Sequence, residues 1–215
     1  MITPLALLFA AIGAAWGYAS DRIAVRWPEH DPDETPAGRT RGWRTVVAVI
    51  VGAVGLGLVP IRFAQPIEIA VFGAYVGALV LLLATDLDQR LLPNEITLPA
   101  IPIALLFTLL DANPLVAPGG LVIAIPIALV LPLALYLFSL PFGAGAFGLG
   151  DVKLLISLGL LVGPWRLIVG VIYGFFVAGA VIVVLLIAKR VTLKSFIPMG
   201  PFLIIGALWA ILGPG

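Results

Sequence analysis

The chain has 215 residues, of which 62% are hydrophobic and 11% charged, with a mean hydropathy of +1.20 and a formal net charge of +1. A soluble domain carries about twice that charged fraction, so this chain cannot cover a water-exposed surface and reads as an all-α polytopic integral membrane protein. The balanced charge provides no global field toward nucleic acid, and the absence of cysteine removes disulfides, thiolate metal sites and thiol nucleophiles.

A membrane span takes roughly 20 mostly apolar residues, and backbone groups inside the bilayer must pair internally. The long, non-alternating apolar runs therefore predict helices. Spans are expected at about 3–19, 45–63, 67–85, 97–114, 119–140, 152–164, 166–188 and 199–213. The sixth is short and Gly163-Pro164 is expected to end it, as a half-span or as part of a bent helix, so the count is seven to eight transmembrane helices. The first run has no basic stretch before it (Met1-Ile2-Thr3-Pro4) and no clear small-residue cleavage site, so it is read as retained and not as a removed signal peptide.

Between the first two spans, residues 20–44 hold 10 of the 23 Asp, Glu, Lys and Arg residues. Charge and proline at that density predict a solvated loop, and the only histidine, His30, is read as part of it. The chain divides accordingly into an N-terminal two-span region, 1–66, with this short charged cytoplasmic loop, and a core, 67–215. Lys and Arg set the orientation. Eight spans with an external N-terminus put Arg22, Arg26, Arg39, Arg41, Arg44, Arg90, Lys153, Lys189, Arg190 and Lys194 on the cytoplasmic side and leave only Arg62 and Arg166 outside. No internal repeat is evident, which weakens an inverted-repeat transporter reading.

Outside the loop the acids are Glu68, Asp86, Asp88, Glu95, Asp111 and Asp151. Glu68 and Asp111 fall at expected external span ends and are read as boundary residues. Asp86 and Asp88 close the third span, and Asp151 opens the sixth within Gly148-Leu149-Gly150-Asp151. The expected topology puts both segments at the cytoplasmic edge. Two carboxylates from different helices at one depth are the minimum equipment of an aspartic protease. When two acids crowd together, one stays protonated while its partner ionises, and the ionised member then takes a proton from water. The same acids equally suit plain helix ends, since an acid at a helix N-terminus is favoured by the dipole; the carboxylates alone leave both readings open. Gly148 and Gly150 can adopt backbone geometry closed to other residues and leave room for a substrate strand beside Asp151.

Three stretches together resemble the type IV prepilin peptidases, membrane aspartic proteases with a Gly-x-Gly-Asp signature. They are Asp86-Leu87-Asp88-Gln89-Arg90-Leu91-Leu92-Pro93-Asn94-Glu95-Ile96-Thr97-Leu98-Pro99, Gly148-Leu149-Gly150-Asp151-Val152-Lys153-Leu154-Leu155, and Ile197-Pro198-Met199-Gly200-Pro201-Phe202. Their order matches the family, over roughly residues 67–213. The resemblance implies that 67–215 is a membrane aspartic peptidase core with Asp86 and Asp151 as the catalytic pair. Two residues apart on a helix differ by about 200°, so Asp86 and Asp88 cannot face one partner. Helical phase puts Asp88 with Ala70, Gly77 and Ala84, whose small side chains suit helix contact, and Asp86 nearer Tyr75, Leu79 and Leu82. The family pattern, and not the phase, selects Asp86.

Such enzymes cut the basic leader from prepilins or pseudopilins at the cytoplasmic face of the inner membrane. The resemblance thus implies a prepilin or pseudopilin helix and the lipid bilayer as partners, and no cofactor or metal for proteolysis. Asp88 or Glu95 is expected to attract the basic leader, with Gly148, Gly150, Pro198 and Gly200 as supporting residues. Many bacterial relatives also methylate the new N-terminus and carry paired Cys-x-x-Cys motifs in a large first loop. Here the loop is short and has no cysteine, so methylation stays open. Gly73 and Gly77 form a Gly-x-x-x-Gly read as internal packing or dimerisation. Trp16, Trp43, Trp165 and Trp209 fall near expected span ends, where amphipathic rings settle, and Pro99, Pro102, Pro126 and Pro132 are expected to bend or end helices. A small ion-coupled transporter and a non-catalytic membrane subunit of a pilus or secretion system are the alternatives.

Overall fold

The computed structural model describes residues 3–28, 42–142, 147–190 and 199–214, with the backbone alone for Phe142. His30, Arg39, Arg41, Lys194 and Pro198 lie outside the described residues. Among the described residues the protein is all-α, with helices α1 (Pro4–Ala24), α2 (Trp43–Arg62), α3 (Pro66–Gln89), α4 (Asn94–Leu109), α5 (Leu121–Ser139), α6 (Leu149–Ile187) and α7 (Gly200–Leu212). Four of them, α2, α3, α5 and α6, are long and apolar enough to cross a membrane, and α4 and α7 are shorter apolar helices. Their exposed faces are crowded with Leu, Ile, Val and Phe, a surface only lipid solvates without penalty. This is a multi-pass membrane protein.

The chain forms two compact units, Met1–Ile96 with Pro214–Gly215, and Thr97–Gly213. This boundary follows packing, whereas the 66/67 division follows the sequence motifs.

In the first unit α1, α2 and α3 pack together. Helix α1 lies antiparallel on α2 with almost no side chain between them. A Cβ added at Gly13 would sit 2.0 Å from the Gly52 carbonyl oxygen, and one at Gly17 would sit 2.1 Å from that of Ala48. Hydrocarbon tails are as apolar as leucine, so helices gain little by burying side chains and gain more from close backbone approach. Gly73 and Gly77 of α3 face α1, with Phe9 over the first and Trp16 over the second; the pair serves internal packing. Trp16 has a structural bond on the inward side: its Nε1 donates to the Gly77 carbonyl at 2.8 Å. Near the start of α3, Phe72 stacks on Phe63 just past α2, with ring centroids 4.0 Å apart.

In the second unit α6 packs on α5 and α7. Gly170 and Gly174 meet the backbone of α7 at Gly206 and Phe202, and Gly159 meets Ala128 of α5. At 39 residues, an unbroken α6 would measure roughly 58 Å at 1.5 Å per residue, almost twice the hydrocarbon thickness. It is broken at Gly163, whose φ of 80° and ψ of 171° are not helical. A second helix starts at Pro164, so Gly163-Pro164 ends the sixth span as expected, and the expected sixth and seventh spans are two helices that meet there, numbered together as α6. Where the first part ends, its last carbonyls are left without helical donors. The Thr108 hydroxyl donates to the Leu160 carbonyl at 3.0 Å, and Asn113 Nδ2 donates to the next, Leu161, at 2.7 Å. Past the break, Arg166 donates to the carbonyls of Ala210 and Gly213, placing a cation at the C-terminal end of α7.

Two other expectations change. Pro99 and Pro102 lie inside α4, and Pro126 and Pro132 inside α5, so none of the four ends its helix. The charged segment is not a loop throughout: α1 continues to Ala24 with Ser20 and Asp21 buried, and α2 begins at Trp43.

Candidate active site

The first aspartate block ends α3. Asp86 is 5% exposed and lies on the face that buries Tyr75, Leu79, Leu82 and Leu83. The small-residue face that carries Asp88 does meet neighbouring helices, with Ala84 buried and Gly77 under Trp16 although Ala70 is exposed, and the large apolar face that carries Asp86 is buried as well. The chain then turns sharply. Arg90 takes the left-handed conformation, φ 55° and ψ 38°, and its N–H donates to the Asp86 carbonyl at 2.9 Å. That bond satisfies one of the carbonyls a helix end leaves open. Leu92 and Pro93 are buried, and α4 starts at Asn94 with Glu95 exposed in its first turn.

Asp88 points elsewhere. Its Oδ1 accepts from Arg44 Nη1 of α2 at 3.0 Å, with the carboxylate side chain 13% exposed. Gln89 reaches α1: its Nε2 donates to the Ala24 carbonyl at 2.7 Å and to that of Pro28 at 3.2 Å. One layer in, Asp21 is 2% exposed and accepts from the Thr45 hydroxyl at 2.7 Å and from Arg22 at 2.5 Å. The C-terminal ends of α1 and α3 and the N-terminal end of α2 thus form one polar layer at a single end of the first unit.

The second block opens α6. Gly148 is the residue before the helix, and its N–H donates to Asp151 Oδ2 at 2.8 Å. Asp151 reaches back to a donor the helix itself leaves unpaired, and the bond fixes the carboxylate's orientation; the side chain is 9% exposed. Gly148 has φ −98° and ψ 166°, extended backbone open to any residue. A Cβ there would lie 3.6 Å from Asp151 Oδ2, an ordinary contact, so neither conformation nor space requires the glycine. Gly150 and Lys153 are half-buried, and Gly200 is buried at the first position of α7.

Arg44, Gln89, Asp21 and Thr45 were not singled out from the sequence. Three of them fall in or against the stretch whose composition read as solvated loop. A signal was present: the buried series Gly13, Gly17, Ser20 and Ala24 has helical spacing and carries α1 past residue 19.

A model of the type IV leader peptidase family matches residues 73–184, just over half of the chain and including both Asp86 and Asp151. Among curated proteins, the prepilin leader peptidase/N-methyltransferase of Aeromonas salmonicida (strain A449) is 38% identical over 136 residues, covering 62% of this chain and 46% of the relative. Its namesake in Pseudomonas putida is 34% identical over 152 residues, covering 66% and 52%. That of Burkholderia pseudomallei (strain K96243) is 30% identical over 177 residues, covering 79% and 56%. The chain spans about half the length of the curated relatives it matches. No solved structure gives a significant match. With the family's model running through both aspartate blocks, the chain belongs to the type IV leader peptidase family.

Proposed function

We propose that this protein is a membrane aspartic endopeptidase that removes the basic leader from type IV prepilins or pseudopilins, with Asp86 and Asp151 as its catalytic acids. The observation that carries the reading is the family match over 73–184, which contains both acids. The burial of both carboxylates supports it, as does the local backbone that holds Asp151.

In the proposed reaction one carboxylate is ionised and the other protonated. The ionised acid accepts a proton from water as the water oxygen bonds to the scissile carbonyl carbon, and the protonated acid donates toward the carbonyl oxygen. In the collapse, the acid that took water's proton delivers it to the departing nitrogen as the C–N bond breaks. A hydroxyl of the intermediate returns a proton to the second acid as the carbonyl re-forms, which restores both acids to their starting states. Proton count and charge balance across the step, and the proposal needs no metal or organic cofactor for it. The distribution of Lys and Arg supports an inner-membrane location with cleavage at the cytoplasmic face. Exposed Glu95 is proposed to attract the basic leader, and Gly148, Gly150, Pro198 and Gly200 to line the approach.

The test is the purified chain incubated with candidate prepilins, with the product's new N-terminus read by mass spectrometry. A new terminus just before the substrate's hydrophobic segment is expected. An uncut substrate, with ion flux in proteoliposomes or binding alone, returns the protein to the transporter or subunit reading. The same spectra show whether the terminus gains a methyl group, a second activity named in the relatives and not included in this proposal.

A further inference from the structure

The turn that carries Asp86 is the last of α3, where a helix frays most readily because its final carbonyls lack helical donors. It also holds two acids, Asp86 and Asp88, with no basic residue in that turn, at the negative pole of the helix dipole. The α1–α2 hairpin offsets both weaknesses. Arg44 brings a cation onto Asp88 at 3.0 Å. Gln89 Nε2 donates to the Ala24 carbonyl at the end of α1 and to the Pro28 carbonyl beyond it, and Ala24 carries a final carbonyl that α1 cannot satisfy. The hairpin end is fixed in turn by the Asp21, Thr45 and Arg22 bonds. Three hydrogen bonds, to α2, to the end of α1 and to Pro28 beyond it, therefore converge on two residues that follow Asp86 within one turn.

We propose that Arg44 and Gln89 are positioning residues for Asp86, and that Asp88 serves this frame and not the substrate's leader. The inference rests on the peptidase reading above. The first two helices thereby become part of the proteolytic machinery, although the family match begins only at residue 73. Arg44 also compensates the charge that would make Asp88 an attractor for a basic leader.

The test uses the full chain in detergent or proteoliposomes with a prepilin substrate. Arg44→Ala and Asp88→Asn are each expected to lower kcat by roughly 10- to 100-fold with KM unchanged, the size of effect a small misplacement produces. The double variant should be no worse than either single, and exchanging the pair (Arg44→Asp with Asp88→Arg) should recover most of the loss. Arg44→Lys, which keeps the charge, should be intermediate. Full activity in Arg44→Ala, additive losses, no recovery on exchange, or a raised KM with unchanged kcat in Asp88→Asn would overturn the proposal. Hydrogen exchange supplies a readout independent of cleavage. Amides of residues 87–90 should exchange faster in Arg44→Ala and Gln89→Met while those at the start of α3 stay protected, and unchanged exchange there also overturns it. If the parent protein fails to cut any prepilin, the peptidase reading falls, and the exchange data still decide whether these bonds hold the turn.

Discussion

The Thr108 hydroxyl stands 3.0 Å from the Leu160 carbonyl oxygen, one of the carbonyls left without a helical donor where the chain breaks at Gly163. A side chain from one helix completes the backbone of another. Asn113, which also donates to the Thr108 hydroxyl at 2.7 Å, does the same for Leu161. Thr108 and Asn113 are buried, so bulk water does not stand in for these donors. Removing either by Thr108→Val or Asn113→Leu should cost about 1–3 kcal/mol, the usual penalty for stranding a buried polar group. Reversible unfolding in mixed micelles measures this, and a change near zero would show that the broken helix finds other donors.

Packing of α1 on α2 makes a sharper demand. Gly13→Ala puts a methyl group within 2.0 Å of the Gly52 carbonyl oxygen, and only movement of backbone relieves the clash. A loss of about 1–3 kcal/mol or more is expected. Gly179 of α6 has nothing within 4 Å of its would-be Cβ, so Gly179→Ala should be neutral or stabilise by up to about 1 kcal/mol through helix propensity. The same unfolding assay compares both, and equal effects at the two positions would contradict the packing.

For the proposed chemistry, Asp86→Asn and Asp151→Asn should each lower cleavage of a coexpressed prepilin by at least about 10²- to 10⁴-fold, the range for loss of a general acid or base. Each variant should still insert and remain monodisperse. Substantial cleavage by either one removes that acid from the reaction.

Glu95 is exposed, so its pull on a basic leader is screened and small. Glu95→Lys should raise KM for a leader rich in Lys and Arg by less than about tenfold, as exposed charge pairs are worth up to about 1 kcal/mol, and the effect should shrink as salt rises. Unchanged KM at low salt would falsify the leader-attraction role.

Much of this protein follows from local composition. The apolar runs partition into lipid whatever they later pack against, so the helices could be placed from hydropathy. Gly163-Pro164 breaks α6 through its own conformational limits. The two aspartate blocks stand out because a charged group beside an apolar span is costly. Family motifs, themselves local, then selected Asp86.

What needed the tertiary structure was every question about which side of a helix finds a partner. Hydropathy is nearly uniform around these helices, so no amphipathic stripe marks the inward face as it does in a soluble bundle. Phase reasoning put Asp88 on a helix-contact face, and packing gives both acids a covered side: Asp88 meets Arg44, and Asp86 is buried with Tyr75, Leu79 and Leu82. For the same reason the bond from Trp16 to the Gly77 carbonyl was not legible in the sequence. Asp21 read as part of a solvated loop and lies 2% exposed against Thr45. Composition decides that a segment enters the bilayer; the neighbouring helix, distant in sequence, decides which of its atoms are paired, buried or left to lipid.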